Sequence, residues 1–211
     1  LREIQISLPP LDEQSKIVSI LTSVDEVIEN LQKQIDKLKD LKKATMNELL
    51  TKGIGHTEFK DSELGRIPKS WEVDRFDKFI TLQRGHDLPV QNRVEGKIPI
   101  YGSNGIVGSH TTSEIPEGGV ITGRSGSIGD VHFAEGQYWA LNTTLYVRDF
   151  HGNNKKYVYY FLKNFNLEQF SAGTGVPTLN RNDVHTRVIA FPDDPFEQNK
   201  ICEILDNIEK Y

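Results

Sequence analysis

"LPPLDEQSKIVSILTSV", residues 8–24, returns near the other end of the chain as "FPDDPFEQNKICEILDNI", residues 191–208, with one residue more. Aligning Glu13-Gln14 with Glu197-Gln198 also pairs Lys16 with Lys200, Ile17 with Ile201, Ile20 with Ile204 and Leu21 with Leu205. That gives six identities over the twelve positions from Glu13 to Val24. Upstream, "LREIQISLP" and "VHTRVIAFP" share an apolar alternation that predicts a strand leading into each helix. Recurring segments are the signature of a repeating architecture, and 211 residues framed this way make about one period, started out of phase.

After the first copy, apolar residues recur at Ile17, Leu21, Val24, Ile28, Leu31, Ile35 and Leu38, the alternating four-three spacing of a heptad seam. Asp25, Glu26, Glu29, Lys33, Lys37 and Lys39 fill the outer face. Leu41, Thr45 and Leu49 continue the stripe less regularly towards Gly53 and Gly55, where glycine is suited to stop a helix. A helix over residues 12–50 would be roughly 58 Å long at about 1.5 Å per residue. Such a seam requires a partner helix. The second copy, starting at Glu197 and running on to Tyr211, has the pattern of the first turns of one, and a generic dimerisation coiled coil fits the same periodicity.

Between the copies the texture changes. Residues 71–190 carry short apolar runs broken by glycine, proline and asparagine, which predicts a β-rich domain. Strands are expected over residues 98–101, 120–122, 130–133 and 144–147, separated by the turn signals "YGSNGIVG", "EGGV" and "RSGSIGD". One helix is expected over residues 155–164, where Val158, Phe161 and Leu162 share a face. The expected class is α+β: a β-rich domain over residues 56–190, a long coiled-coil helix within residues 1–55, and the start of a second helix over residues 191–211.

Composition excludes several functions. A net charge of -5 does not mark a protein that holds polyanions by bulk electrostatics. Cys202 is the single cysteine, which leaves no internal disulfide and no cysteine zinc site, and suits a reducing compartment. No apolar run approaches the roughly 20 residues that span a bilayer, so a chain without membrane contact is expected. "GRSGSIG" lacks the Gly-Lys-Ser/Thr of a phosphate loop and the spacing of a hydrolase serine elbow. Pro9-Pro10 lies between leucines, unlike the polar-Pro-Pro-aromatic motif of adenine methyltransferases, and no Glu-x-Lys pair follows Pro192-Asp193 to complete a nuclease metal site. The six histidines, His56, His86, His110, His132, His151 and His185, form no i, i+4 pair for a metal. Neither catalytic residues nor metal ligands are assigned.

Taken in order, "IPKSWEVDRFDKFITLQRG", "IPIYGSNGIVG", "VITGRSGSIGDVHF", "SAGTGVPTLNRNDV" and the two proline/Glu-Gln helix starts resemble the DNA-specificity subunits of type I restriction-modification systems across nearly the whole chain. The resemblance implies a target-recognition domain between two conserved helical spacers. It implies double-stranded DNA as ligand, and modification (methyltransferase) and restriction subunits as partners. S-adenosylmethionine, ATP and magnesium would be bound by those partners only, and the setting would be a prokaryotic cytoplasm. The subunits of this family pair two recognition domains to read a split target, and this chain carries one. The chain is then a fragment, a natural half-subunit or a permuted subunit, and the other domain comes either from a second copy joined through antiparallel coiled-coil helices or from further sequence. A coiled-coil protein-protein scaffold that does not read DNA is the alternative.

Base reading requires cations to position phosphates and bidentate or amide side chains to reach base edges. "LQRGHD" offers Gln83, Arg84 and His86; "YGSNG" offers Tyr101, Ser103 and Asn104; the next glycine-rich turn offers Arg124 and Ser125. Lys155 and Lys156 in "GNNKKY", with Asn180 and Arg181 in "TLNRND", are the candidate phosphate contacts. Residues 61–190 balance fourteen Lys/Arg against fourteen Asp/Glu, whereas residues 191–211 carry two against six. The acidic excess thus lies outside the expected reading domain, and isolated DNA binding should be weak because few phosphates are neutralised.

Overall fold

The computed structural model describes residues 8–172 and 177–210. The strand expected before the first helix lies outside these residues, as does the "GTGV" of "SAGTGVPTLNRNDV", residues 173–176. In chain order the elements are α1 (Leu11–Lys52), β1 (Phe59–Ser62), β2 (Gly65–Pro68), β3 (Glu72–Arg75), the single turn α2 (Phe76–Phe79), β4 (Thr81–Arg84), β5 (Ile98–Gly102), β6 (Gly105–His110), β7 (Gly119–Gly123), β8 (Val131–Ala134) and β9 (Trp139–Ala140). There follow β10 (Thr144–Asp149), α3 (Lys155–Asn164), β11 (Ser171–Ala172), β12 (Thr178–Leu179), α4 (Arg181–His185), β13 (Val188–Phe191) and α5 (Pro195–Glu209). Two compact units result, one up to Thr45 and one from Met46 onward.

The first unit is the helical stretch of α1. Asp12 and Glu13 lie in its first turn, where carboxylates favour the positive end of the helix dipole. Every residue of the heptad seam is exposed, from 44% at Ile17 to 64% at Leu38. The pattern foretold the helix but finds no cover within the described residues.

In the second unit α1 ends at Gly53, whose φ of +66° is a conformation that side chains disfavour, and whose N–H closes the last turn on the Leu49 carbonyl at 3.1 Å. The centre of the unit is an antiparallel sheet in the order β4-β10-β7-β8. Its inner strands β10 and β7 are buried on both faces over most of their length, and period-2 alternation distributes their side chains. Val120, Leu145 and Val147 join the core formed with Tyr157, Val158, Phe161 and Leu162 of α3. Ile121 and Tyr146 face the other way, into a smaller core with Tyr101 and Ala140 from the sheet β6-β5-β9 and with Tyr138, just before β9. Helices, central sheet and small sheet therefore make three layers, as an α+β domain requires. Asn154 caps α3 by accepting from the N–H groups of Lys156 and Tyr157.

The second copy of the repeat is used differently from the expectation. Phe191, outermost in β13, pairs with Glu72 of β3 and is 1% exposed, so β13 is stitched to the start of the unit. The α5 helix begins at Pro195 after the Asp194 cap and turns Ile201, Cys202 and Leu205 into the main core beside α3. Ile201, Cys202 and Leu205 are therefore covered, whereas Phe196 and Ile204 of the same helix remain exposed at 64% and 38%. Ile201 and Leu205 are fully buried where their counterparts Ile17 and Leu21 are exposed.

Burial pushes the Cys202 thiol up to about 12 from its ordinary 9.0, with Asp206 adding to the effect. The unfolded chain ionises first, so this group stabilises the fold fully below about pH 9 and loses that contribution as pH rises towards 12. We expect Cys202 to resist a disulfide-exchange reagent at pH 8 in the native protein and to react at once in denaturant; equal rates in both states would contradict its burial.

Candidate nucleic-acid interface

Four strand-end loops and the start of α4 meet at one rim of the second unit. The central element is the glycine-rich turn after β7. Arg124 and Ser125 donate their backbone N–H groups to Thr143 at 2.8 and 3.1 Å, while Leu179 donates to the Arg124 carbonyl at 2.8 Å. Ser125 forms a single β-bridge with Thr178, just before α4 begins. On the other side stands the β5–β6 turn: a side chain at Gly123 would run into the carbonyls of Ser127 and Ser103. The loop after β4 closes the circle. Gly85 lies against the carbonyls of Ala140 and Leu141, and the His86 N–H reaches the Ala140 carbonyl at 2.7 Å. Glycine is needed at both positions because the approaching atoms are backbone, which cannot rotate away.

Polar side chains knit the rim. Asp87 accepts from Asn142 Nδ2 and, at 3.4 Å, from Arg84 Nη2. Arg124 Nη1 reaches the Asn142 carbonyl at 3.4 Å. His86 Nε2 lies 3.4 Å from the Tyr146 hydroxyl, whose pKa burial raises. A cleft of about 270 Å³ opens beside them between Asp87, Leu88, Arg93, Asn142 and Thr143. A larger one of about 440 Å³ is lined by Leu50, Ile67, Trp71, Phe161 and Phe165 and contains none of the candidate residues.

Of the residues singled out in the sequence, Arg84, His86, Ser103, Arg124 and Ser125 lie on these touching loops, Asn104 is next to Ser103 in its turn, and Asn180 and Arg181 follow the Thr178–Leu179 strand that meets the glycine-rich turn. Asn180 is partly engaged, since its side-chain oxygen caps α4 by accepting from Asn182 N at 3.1 Å. Gln83 sits one residue inside β4 and accepts from Arg148 at 3.1 Å. One expectation requires correction, and two further candidates lie away from the rim. Tyr101 is 7% exposed, its ring packed edge-on to Tyr138 at 5.7 Å, which makes it a core residue and not a loop reader. Lys155 pairs with Glu117 at 2.9 Å and donates to the Gly118 carbonyl, at the start of β7 and so about 13 Å along the strand from the glycine-rich turn. Lys156 lies over the Phe133 ring and pairs with Asp206 at 3.6 Å. Both lysines are tied to the scaffold at the far end of the sheet.

Sequence reading missed Asp87, Asn142 and Thr143. "LNTT" between two apolar runs is a turn signal, yet without glycine or charge it did not stand out. His185 was noted only as a scattered histidine. Its Nε2 accepts from Leu82 N at 2.9 Å, and the ring stacks on Phe76, so it fastens α4 to β4. Burial lowers its pKa below the ordinary 6.5. The stability it contributes is present above about pH 6.5 and is lost as pH falls through the depressed folded value, because protonation removes the acceptor. Melting between pH 7 and pH 4.5 should show a fall that His185→Gln attenuates; identical pH profiles for the two proteins would refute this.

Among the described residues no group of three or more His, Cys, Asp or Glu could hold a metal, and no helix is long and apolar enough to cross a membrane. A central sheet that carries polar loops to one rim is the framework of the second unit. The chain belongs to the family of the type I restriction modification DNA specificity domain, whose model matches residues 1–40 and 68–210. It is 45% identical over 83 residues to the type I restriction enzyme MjaVIII specificity subunit of Methanocaldococcus jannaschii, covering 39% of this chain and 20% of that protein. Similarity to the MjaIX specificity subunit of the same organism extends further, with 26% identity over 229 residues, 94% of this chain and 52% of the relative. The crystal structure of the HsdS subunit from Thermoanaerobacter tengcongensis shares the fold with a TM-score of 0.62 at 18% identity, over 96% of this chain and 52% of that one. The chain thus spans about half or less of the length of these proteins.

Proposed function

We propose that this chain reads one part of a split double-stranded DNA target for a type I restriction-modification complex. The rim formed by Arg84, His86, Ser103, Asn104, Arg124, Ser125 and Arg181 is the reading surface. The convergence of these side chains on loops supported by a rigid two-sheet scaffold carries this reading. Arginine can address guanine and asparagine adenine, each good pair discriminating by about 1–3 kcal/mol. The chain itself is non-catalytic in this reading: methyl transfer and cleavage belong to partner subunits, which bind S-adenosylmethionine, ATP and magnesium.

The balanced charge of the recognition segment fits a subunit that depends on partners for much of its phosphate contact. The exposed seam of α1 supports pairing with another helix, and two copies joined antiparallel would present two rims about a two-fold axis and select an interrupted palindrome. Co-expression with a modification subunit, followed by sequencing of methylated DNA, tests the reading. A discrete motif is expected, and Arg124→Ala should relax one position of it; methylation without any motif would refute the proposal. Ile28→Lys with Leu31→Lys should abolish self-association measured by light scattering while leaving the second unit folded.

A further inference from the structure

Immediately after the reading turn Ser103-Asn104, β6 exposes two adjacent aliphatic side chains, Ile106 at 63% and Val107 at 42%. In the described sheet β6 is an edge strand, paired with β5 alone. Its register with β5 shifts between Ile100 and Tyr101: Ile100 pairs with Gly108 and Tyr101 with Ile106, which leaves Val107 without an opposite number. Such bulges re-aim side chains at sheet edges. Exposed edges are ordinarily guarded by charge or proline, and residues 105–109, Gly-Ile-Val-Gly-Ser, contain neither.

The size of the patch limits what can cover it. Two side chains fall far short of the 20–30 residues a side of a stable protein interface. They suit a small apolar group presented next to polar contacts, and the major groove of DNA offers one such group, the C5-methyl of thymine. The position fits as well: Ile106 is two residues from Asn104, and Ser103 of the same turn packs on the glycine-rich loop that carries Arg124. We propose that Ile106, supported by Val107, contacts a thymine methyl and makes thymine the preferred base at one position of the target. This rests on the DNA-reading role proposed above.

The test uses the full chain assembled with its modification subunits, and duplexes carrying the motif found by methylation sequencing, with each thymine replaced in turn by deoxyuridine. Uracil keeps the pairing and removes only the methyl. At one position the substitution should weaken binding by about fourfold, the worth of one buried methyl. Ile106→Ser should bind the thymine and uracil duplexes equally, with an unchanged melting temperature because the residue is exposed, and Ile106→Leu should keep the discrimination. Indifference to every uracil substitution, or discrimination that survives in Ile106→Ser, overturns the inference alone. A parallel loss of both duplexes in Ile106→Ser also overturns it, since that marks a wedge between bases and not a methyl contact. Absence of sequence-specific binding to the unsubstituted duplex removes both this inference and the DNA-reading role.

Discussion

Glu197→Ala should destabilise the protein by about 3 kcal/mol, whereas Glu13→Ala, the same position in the other copy of the repeat, should change stability by no more than about 0.5 kcal/mol. The carboxylate of Glu197 is nearly buried and serves three groups at once: His56 Nε2 at 2.6 Å, the Ile54 N–H at 3.2 Å and Trp71 Nε1 at 3.2 Å. It thereby ties the stop of α1 and the start of the β-rich domain to the first turn of α5. Alanine would leave all three without their acceptor in a site that water reaches poorly. Glutamine retains an acceptor of the same shape and should recover part of the loss. Glu13 is exposed and makes no such bonds among the described residues. Denaturant titration of the four proteins measures the contrast. A melting temperature lowered by roughly 6–12 °C is expected for Glu197→Ala, and similar losses in the two alanine variants would show that the carboxylate has no special place.

Substituting valine for Gly123 should eliminate motif recognition and lower stability by about 2 kcal/mol. The carbonyl of Ser127, in the same glycine-rich turn, occupies the space of the added side chain and that of Ser103 borders it, so the turn must open and be remodelled. Arg124 and Ser125 would move with it, because their N–H bonds to Thr143 fix the turn on the β9–β10 loop. Gly136→Ala is the matched control, since nothing lies within 4 Å of a side chain there. Methylation sequencing should return the native motif for Gly136→Ala and none for Gly123→Val; a native motif from the valine variant would mean that the turn takes no part in reading.

The Glu-Gln repeat gives the contrast between the copies a wider meaning. Gln14 donates to the Pro9 carbonyl at 2.7 Å, as Gln198 does to the Pro192 carbonyl at 2.9 Å. This local bond was implicit in the motif, because a glutamine one turn into a helix reaches back to its own leading segment. Gln198 makes two further bonds, accepting from the Asn154 N–H at 2.8 Å and donating to Asn153 Oδ1 at 2.7 Å. Those partners lie more than forty residues away, and no spacing in the sequence announces them.

The same division holds for the whole molecule. Helical periodicity, a proline or capping residue before a helix, and a glycine after it act within a few residues. The sequence alone therefore determined α1, α3, α5 and the strands over residues 98–101, 120–122, 130–133 and 144–147. The family resemblance was likewise legible, because it rests on ordered local motifs. The β3–β13 pairing, the burial of Ile201 against the exposure of Ile17, and the gathering of Arg84, Asn104, Arg124, Asn142 and Arg181 at one rim were decided by tertiary structure. So were the removal of Tyr101 into the core and the anchoring of Lys155 and Lys156 to the scaffold. A side chain's partners across a sheet depend on register and on which face each strand turns inward, and these are set by the packing of the whole core.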